Sequence, residues 1–313
     1  MSTVRREIAV AVAYVSLLVL LAIAAPAFFR GDQFRAILVA SSPLLVAAIG
    51  MTLVILSRNI DISIGSQFSL CGILVGILAK LGIPMPLVGV LAIAIGAGLG
   101  AINGALVAGL GLPSIVVTLA TMVIWRESLR WWREGEFVRS LPGGFQWLGI
   151  GQDAGQWLVV VLSVGVFAGF AWCLRNLAVG RAIYATGSNP EAAFLVGIRP
   201  RRVLFAVFVL MGALVGLAAL LHSVRFAAVD PTAGTGLELQ VIAAVVVGGV
   251  AISGGRGTLI GAGLGVLLLS TIRPALVFLG AEAHWEKAIQ GAIILLAVAV
   301  DAIKPARGAN VSR

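Results

Sequence analysis

Long apolar runs separated by short polar breaks dominate the chain. The runs cover about 8–29, 38–56, 62–80, 86–109, 113–131, 156–174, 203–222, 237–253, 258–272 and 285–303. A helix needs roughly 20 apolar residues to cross the hydrocarbon core of a bilayer, and several runs reach that length. The pattern therefore predicts an all-α, polytopic transmembrane bundle with about ten spans. A transmembrane barrel would need many short segments of alternating hydrophobicity, and these are missing. The whole of 1–313 reads as one membrane domain, interrupted by a polar, basic loop at 175–202.

Composition agrees with the pattern. Hydrophobic residues make up 60% of the chain and charged residues 11%. Soluble domains carry roughly 25% charged residues, so this chain has too little polar surface for a water-soluble fold. The first run follows Arg5, Arg6 and Glu7 and has a small-residue stretch at Ala22-Ile23-Ala24, as a signal peptide would. Its length and the spans after it favour an uncleaved first span. The net charge of +9 does not point to nucleic acid, because no basic stretch is interleaved with aromatics as a nucleic-acid groove requires. Membrane proteins keep Lys and Arg in cytoplasmic loops. Placing both termini in the cytoplasm puts Arg175, Arg181, Arg199, Arg201, Arg202, Lys304, Arg307 and Arg313 inside. Segment 126–139 runs against this rule with Arg126, Arg130, Arg133 and Arg139, but Glu127, Glu134 and Glu136 are there to pair with them. Cys71 and Cys173 sit inside apolar runs and read as small buried hydrophobes, not a disulfide framework.

Helices in lipid associate through small residues that let their backbones approach. Gly96 and Gly100, and Gly261 and Gly265, have the GxxxG spacing for such faces. A faint internal echo links 47–65 with 243–261 and reads either as a duplicated unit or as coincidence between simple sequences.

The polar groups inside this apolar chain are few. In the break 57–66, polar residues alternate with Ile60, Ile62 and Ile64, which suits an extended segment. Two readings stand. Unwound backbone at membrane depth must line a cavity or be satisfied by protein, which would make Asn59, Asp61, Ser63 and Gln67 pathway residues. Alternatively the break is a cytoplasmic turn in which Asp61 caps the next helix. Asn103, Thr118 and Thr121 are placed for hydrogen bonds between helices, with Asn103 a further pathway candidate. His222, Arg225 and Asp230 fall in an outer loop that either meets an external partner or is simply solvated.

Several chemistries are excluded. His222 and His284 have no ligand-spaced neighbours, so no metal site is expected. No phosphate loop, HExxH or GxSxG motif is present, so no catalytic residue and no ATP site are expected on this chain. Ion-coupled carriers usually carry intramembrane carboxylates, and here only Asp61 and Glu238 adjoin candidate pathway helices. An ion-gradient-driven secondary carrier is the alternative reading.

The loop 175–202 holds five arginines against the single acid Glu191 and contains Glu191-Ala192-Ala193 followed by Gly197. This resembles the coupling loop of ATP-binding-cassette (ABC) importer permeases. Gly180-Arg181, Tyr184-Ala185-Thr186-Gly187, Asn189-Pro190, Asp61, Ser63, Gly65, Asn103-Gly104, Thr118-Leu119 and Gly248-Gly249 through Gly254-Gly255 resemble the branch serving ribose and other monosaccharides. Arg58-Asn59-Ile60-Asp61 is similar to permeases for autoinducer-2, and Arg130 to Gly135 fits that group or a rhamnose-type importer. The likeness runs from about 38 to 303.

The resemblance implies a multi-pass permease of the bacterial inner membrane that imports a monosaccharide or sugar-like solute. It implies pairing with a second permease copy or a sister permease. The partners would be an ABC ATPase, which would bind ATP and Mg, and a periplasmic or lipid-anchored solute-binding protein. In this reading a short helix over 189–197 sits in a cleft of the ATPase, Gly197 allows the turn out of it, and Glu191 suits the positive end of that helix.

Overall fold

The computed structural model describes residues 3–280, 282 and 285–302. The tail residues Lys304, Arg307 and Arg313, and His284, lie outside the described residues. The helices, in order, are α1 (Thr3–Ala24), α2 (Gly31–Leu56), α3 (Ile64–Lys80), α4 (Met85–Gly104), α5 (Ser114–Arg133), α6 (Gln152–Asn176), α7 (Ala178–Ser188), α8 (Pro190–Leu195), α9 (Pro200–Ser223), α10 (Leu237–Val247), α11 (Leu259–Phe278) and α12 (Trp285–Ala302). A wider π turn, Ala105–Gly109, continues α4.

Each apolar run has become a helix. Six are long and apolar enough to cross a membrane: α1, α2, α4 with its π turn, α6, α9 and α11. α3 and α10 are apolar but shorter. The breaks fall where the backbone chemistry requires them. Gly111, at φ 74°, and Pro113 separate α4 from α5. α5 stops at Glu134 and Gly135, both at positive φ, and Pro200 opens α9. The bundle is apolar outside as well as inside. Ile8, Val12, Val15, Val161 and Val164 are all more than half exposed, a surface that needs lipid around it.

α2 lies at the centre with 83% of its most apolar stretch buried, packed against α9, α6, α11 and α10. α9 and α4 make the most extensive helix–helix packing in the fold. Glycines allow it. A Cβ on Gly96 would lie 2.1 Å from the Gly212 carbonyl oxygen, and one on Gly100 would lie 2.2 Å from that of Phe208. The second GxxxG pair works the same way, with Gly261 against the Gly248 carbonyl and Gly265 against that of Ala244. Both predicted small-residue faces are therefore helix contacts.

A Cβ on Gly212 would meet the Gly96 carbonyl oxygen at 2.0 Å and the Gly100 nitrogen at 2.8 Å, both backbone atoms that cannot swing away. Gly212→Val should separate α4 from α9, at a cost of about 1–3 kcal/mol for overpacking. Thermal unfolding in detergent should move several degrees lower, and an unchanged midpoint would disprove the contact.

Candidate functional site

The coupling-loop segment folds as its residues dictate. Asn189 is the N-cap of α8, and its Oδ1 accepts from the backbone N–H of Glu191 and of Ala192, both at 3.0 Å. Pro190 occupies the first helical position, where its missing N–H costs nothing. Glu191 lies in the first turn, at the positive end of the helix. Ala193 is buried. Gly197, at φ 85°, takes the left-handed conformation that ends the helix. Phe194, Leu195 and Val196 are 67%, 84% and 77% exposed, beside Arg199, Arg201 and Arg202. Three consecutive large apolar side chains are thus left bare next to a basic cluster.

α7 precedes this surface and ties it to the rest of the bundle. A Cβ on Gly187 would lie 1.8 Å from the Leu56 carbonyl oxygen, the last residue of α2, and 2.9 Å from the Gly255 nitrogen. Gly255 in turn donates its N–H to the same Leu56 carbonyl at 2.9 Å. Gly254, at φ 80°, packs on the backbone of Arg58. The Tyr184 hydroxyl donates to the Gly257 carbonyl at 2.8 Å. Burial and the nearby Glu7 carboxylate push the Tyr184 phenol up, which keeps that proton in place. The Thr258 hydroxyl, at the N-cap of α11, donates to Glu7 of α1. Thus α7 sits where the 57–63 break and the 248–258 break meet, and these are the two segments whose sequences echo each other.

Beyond Leu56 the chain leaves the helix at Arg58, which holds φ 66°. Asp61 follows, fully buried. Its Oδ1 accepts from the Ser63 N–H at 2.9 Å and from the Ser63 hydroxyl at 2.5 Å. Gln67 Nε2 donates to Asp61 Oδ2 at 3.2 Å and to Ser63 Oγ at 2.8 Å. Asn103 Nδ2 donates to Ser63 Oγ at 2.8 Å, and the Thr121 hydroxyl donates to Asn103 Oδ1 at 2.9 Å. Thr118 Oγ1 receives the Ile62 N–H at 3.1 Å. Four of the five candidate pathway residues, Asp61, Ser63, Gln67 and Asn103, therefore form one network across α3, α4 and the break, with α5 attached through Thr118 and Thr121. Asp61 is not the N-cap of α3 as the turn reading expected: that position is Ser63, and Asp61, two residues earlier, accepts the Ser63 N–H.

Asn59 is the exception. Its amide donates to the Ser57 carbonyl at 2.8 Å, and it lines a cavity with Arg58, Thr186, Pro190 and Arg201. It faces the coupling loop, not the network.

Glu238 was a lesser feature of the sequence and is central in the fold. Its Oε1 pairs with Arg126 at 3.1 Å, joining α10 to α5, while Oε2 is buried with no partner among the described residues. That oxygen lies against Gly65, where a Cβ would sit 2.2 Å from it. In sequence, Arg126 seemed placed to pair within its own charged segment. Only Arg130 does so, with Glu127 at 3.0 Å. An acid on an otherwise apolar helix was the available signal for Glu238.

A family model described as "Branched-chain amino acid transport system / permease component" matches residues 33–298. The chain belongs to this permease family. The permease is 37% identical to the Autoinducer 2 import system permease protein LsrC of Salmonella paratyphi B over 256 residues, 80% of this chain and 73% of the relative. It is 38% identical to the protein of the same name from Escherichia coli K12 over 261 residues, 82% of this chain and 75% of the relative. No solved structure matches it. The permease is the transmembrane subunit of an ABC importer and not an enzyme, and its family implies an ATPase and a solute-binding protein as partners.

Proposed function

We propose that the permease imports a small polyol, a monosaccharide or a sugar-like solute of the autoinducer-2 type. The observation that carries this reading is the α7–α8 unit, an exposed docking helix wedged by glycine contacts onto both helix breaks. The similarity to autoinducer-2 permeases supports the solute class. ATP and Mg are bound by the partner ATPase and no cofactor by this chain. Glu191, Ala192, Ala193 and Gly197 form the coupling element. Asp61, Ser63, Gln67 and Asn103 are the polar wall of the pathway, closed in this conformation, and Asn59 relays between that wall and the loop.

Residues 1–313 act as a single domain of about ten membrane segments, with α7–α8 on the cytoplasmic side with both termini. The protein resides in a bacterial inner membrane and works with a second copy of itself or a sister permease.

The test is co-reconstitution with the ATPase and the binding protein in liposomes, followed by uptake of labelled D-ribose, L-rhamnose and autoinducer-2. Uptake is expected only with ATP on the ATPase side. Accumulation driven by a proton or sodium gradient, without the ATPase, would overturn the importer reading in favour of a secondary carrier.

A further inference from the structure

A second polar site lies at the opposite end of α9 from the coupling loop. α9 has 24 residues, and at 1.5 Å per residue it covers about 36 Å, enough to cross the hydrocarbon core. Its first residue adjoins the docking surface and its last, Ser223, lines a pocket of about 230 Å³. Water occupies about 30 Å³ per molecule, so the pocket suits one pentose or hexose and not a peptide.

The pocket is built, not incidental. The His222 ring stands between Phe68, at 5.3 Å, and Phe226, at 5.0 Å. The Arg225 guanidinium lies 5.3 Å from the Phe226 ring centre. Val138 and Val229 exchange backbone hydrogen bonds at 2.9 and 3.0 Å, which holds Phe137 over the segment that follows α9. Asp230 Oδ1 accepts from the N–H and the hydroxyl of Thr232, both at 2.7 Å. Asp230 Oδ2 has no hydrogen-bond partner among the described residues. Ser223 is only 2% exposed, lines the pocket, and has a hydroxyl without a hydrogen-bond partner among the described residues.

Aromatic faces with a free carboxylate oxygen, a free hydroxyl and an imidazole match the chemistry of a polyol. Its C–H face stacks on a ring, and its hydroxyls donate to the carboxylate and exchange with serine and histidine. No lysine or arginine is among the lining residues, and the nearest cation is Arg225, stacked on Phe226 at the pocket's edge.

We propose that this pocket is the entry site where the permease takes up a neutral polyol, stacked on Phe226 and hydrogen-bonded to Asp230 and Ser223. This rests on the importer reading above.

The test uses the reconstituted complex with its ATPase and binding protein. ATP-driven uptake is measured for D-ribose, D-xylose, L-rhamnose, autoinducer-2 and L-leucine, on wild type and on Phe226→Ala, Phe226→Tyr and Asp230→Asn, each recovered at wild-type yield by gel filtration. Phe226→Ala and Asp230→Asn should each slow uptake of the preferred polyol by roughly tenfold, while Phe226→Tyr should stay near wild type. If wild type imports a polyol and both disruptive variants import it equally fast, the entry site is wrong and the importer reading stands. A loss shared by Phe226→Tyr marks a structural role and also overturns the site. Import of L-leucine alone, or of none of the five, overturns the polyol reading and the site with it.

Discussion

Gly187→Val should uncouple import from ATP hydrolysis. The added Cβ would sit 1.8 Å from the Leu56 carbonyl oxygen and 2.9 Å from the Gly255 nitrogen. Both are backbone atoms that already hydrogen-bond to each other, so neither can turn aside. The only relief is for α7 to lift off α2 and the 248–258 break. α8 follows one residue after α7 ends, so its docking face would move with it. Coupling between two sites is typically worth about 1–3 kcal/mol, so its loss predicts a fall in uptake of roughly 5- to 150-fold. The clash lies at one end of α2 and spares the α4–α9 contact, so the permease should still be recovered from the membrane. ATP-driven uptake and ATPase rate in the same liposomes are the measurements. Hydrolysis that continues without transport is the expected result, and uptake within twofold of wild type would remove Gly187 from the coupling path. Gly197→Val tests the other end of the unit. Gly197 has open space around it but φ 85°, so valine there strains the backbone without a clash and should shift α8 more gently.

Asp61→Ala should be the most destabilising change in the buried network. Asp61 accepts from the Ser63 N–H, the Ser63 hydroxyl and Gln67 Nε2, and all three donors lie in the protein interior. A buried donor that loses its partner costs about 1–3 kcal/mol. Gln67 Nε2 keeps its 2.8 Å bond to Ser63 Oγ, so the net loss should be about 3 kcal/mol. At about 2–4 °C per kcal/mol, the thermal midpoint in detergent should fall by roughly 6–12 °C. Asn103→Ala removes one donor to Ser63 and leaves the Thr121 hydroxyl only its 3.3 Å bond to the Thr118 carbonyl, and should cost less. A midpoint for Asp61→Ala within two degrees or so of wild type would show that the network is not what holds the break against α3 and α4.

Much of the fold was legible in the sequence because lipid imposes a simple rule. Backbone polar groups must be satisfied within each segment, so long apolar runs become helices, and Gly and Pro mark their ends. α8 was legible for a similar local reason. Asn189, Pro190, Glu191 and Gly197 are a start signal, a first-turn residue, a charge for the dipole and a stop, all within one short stretch. α7 was less legible, because its placement rests on what Gly187 touches and not on any periodicity.

Pairings between distant segments were beyond the sequence. Nothing local distinguishes Asn59, which turns toward the loop, from Asp61, which is sealed in the network two residues later. Side-chain direction in an irregular segment is set by its neighbours. Arg126 had nearby acids in sequence, yet it reaches Glu238 across 112 positions because α5 and α10 both pack on α3. The pocket at the end of α9 likewise needed the Val138–Val229 bridge to bring Phe137 over Asp230. The sequence alone determined a helical membrane permease with a short capped helix after Asn189, since apolar length and helix capping are local properties. Only the tertiary structure decided which polar groups share one buried network, which glycines let α7 touch both breaks, and where a pocket forms at the end of α9, since these depend on contacts between segments far apart in the chain.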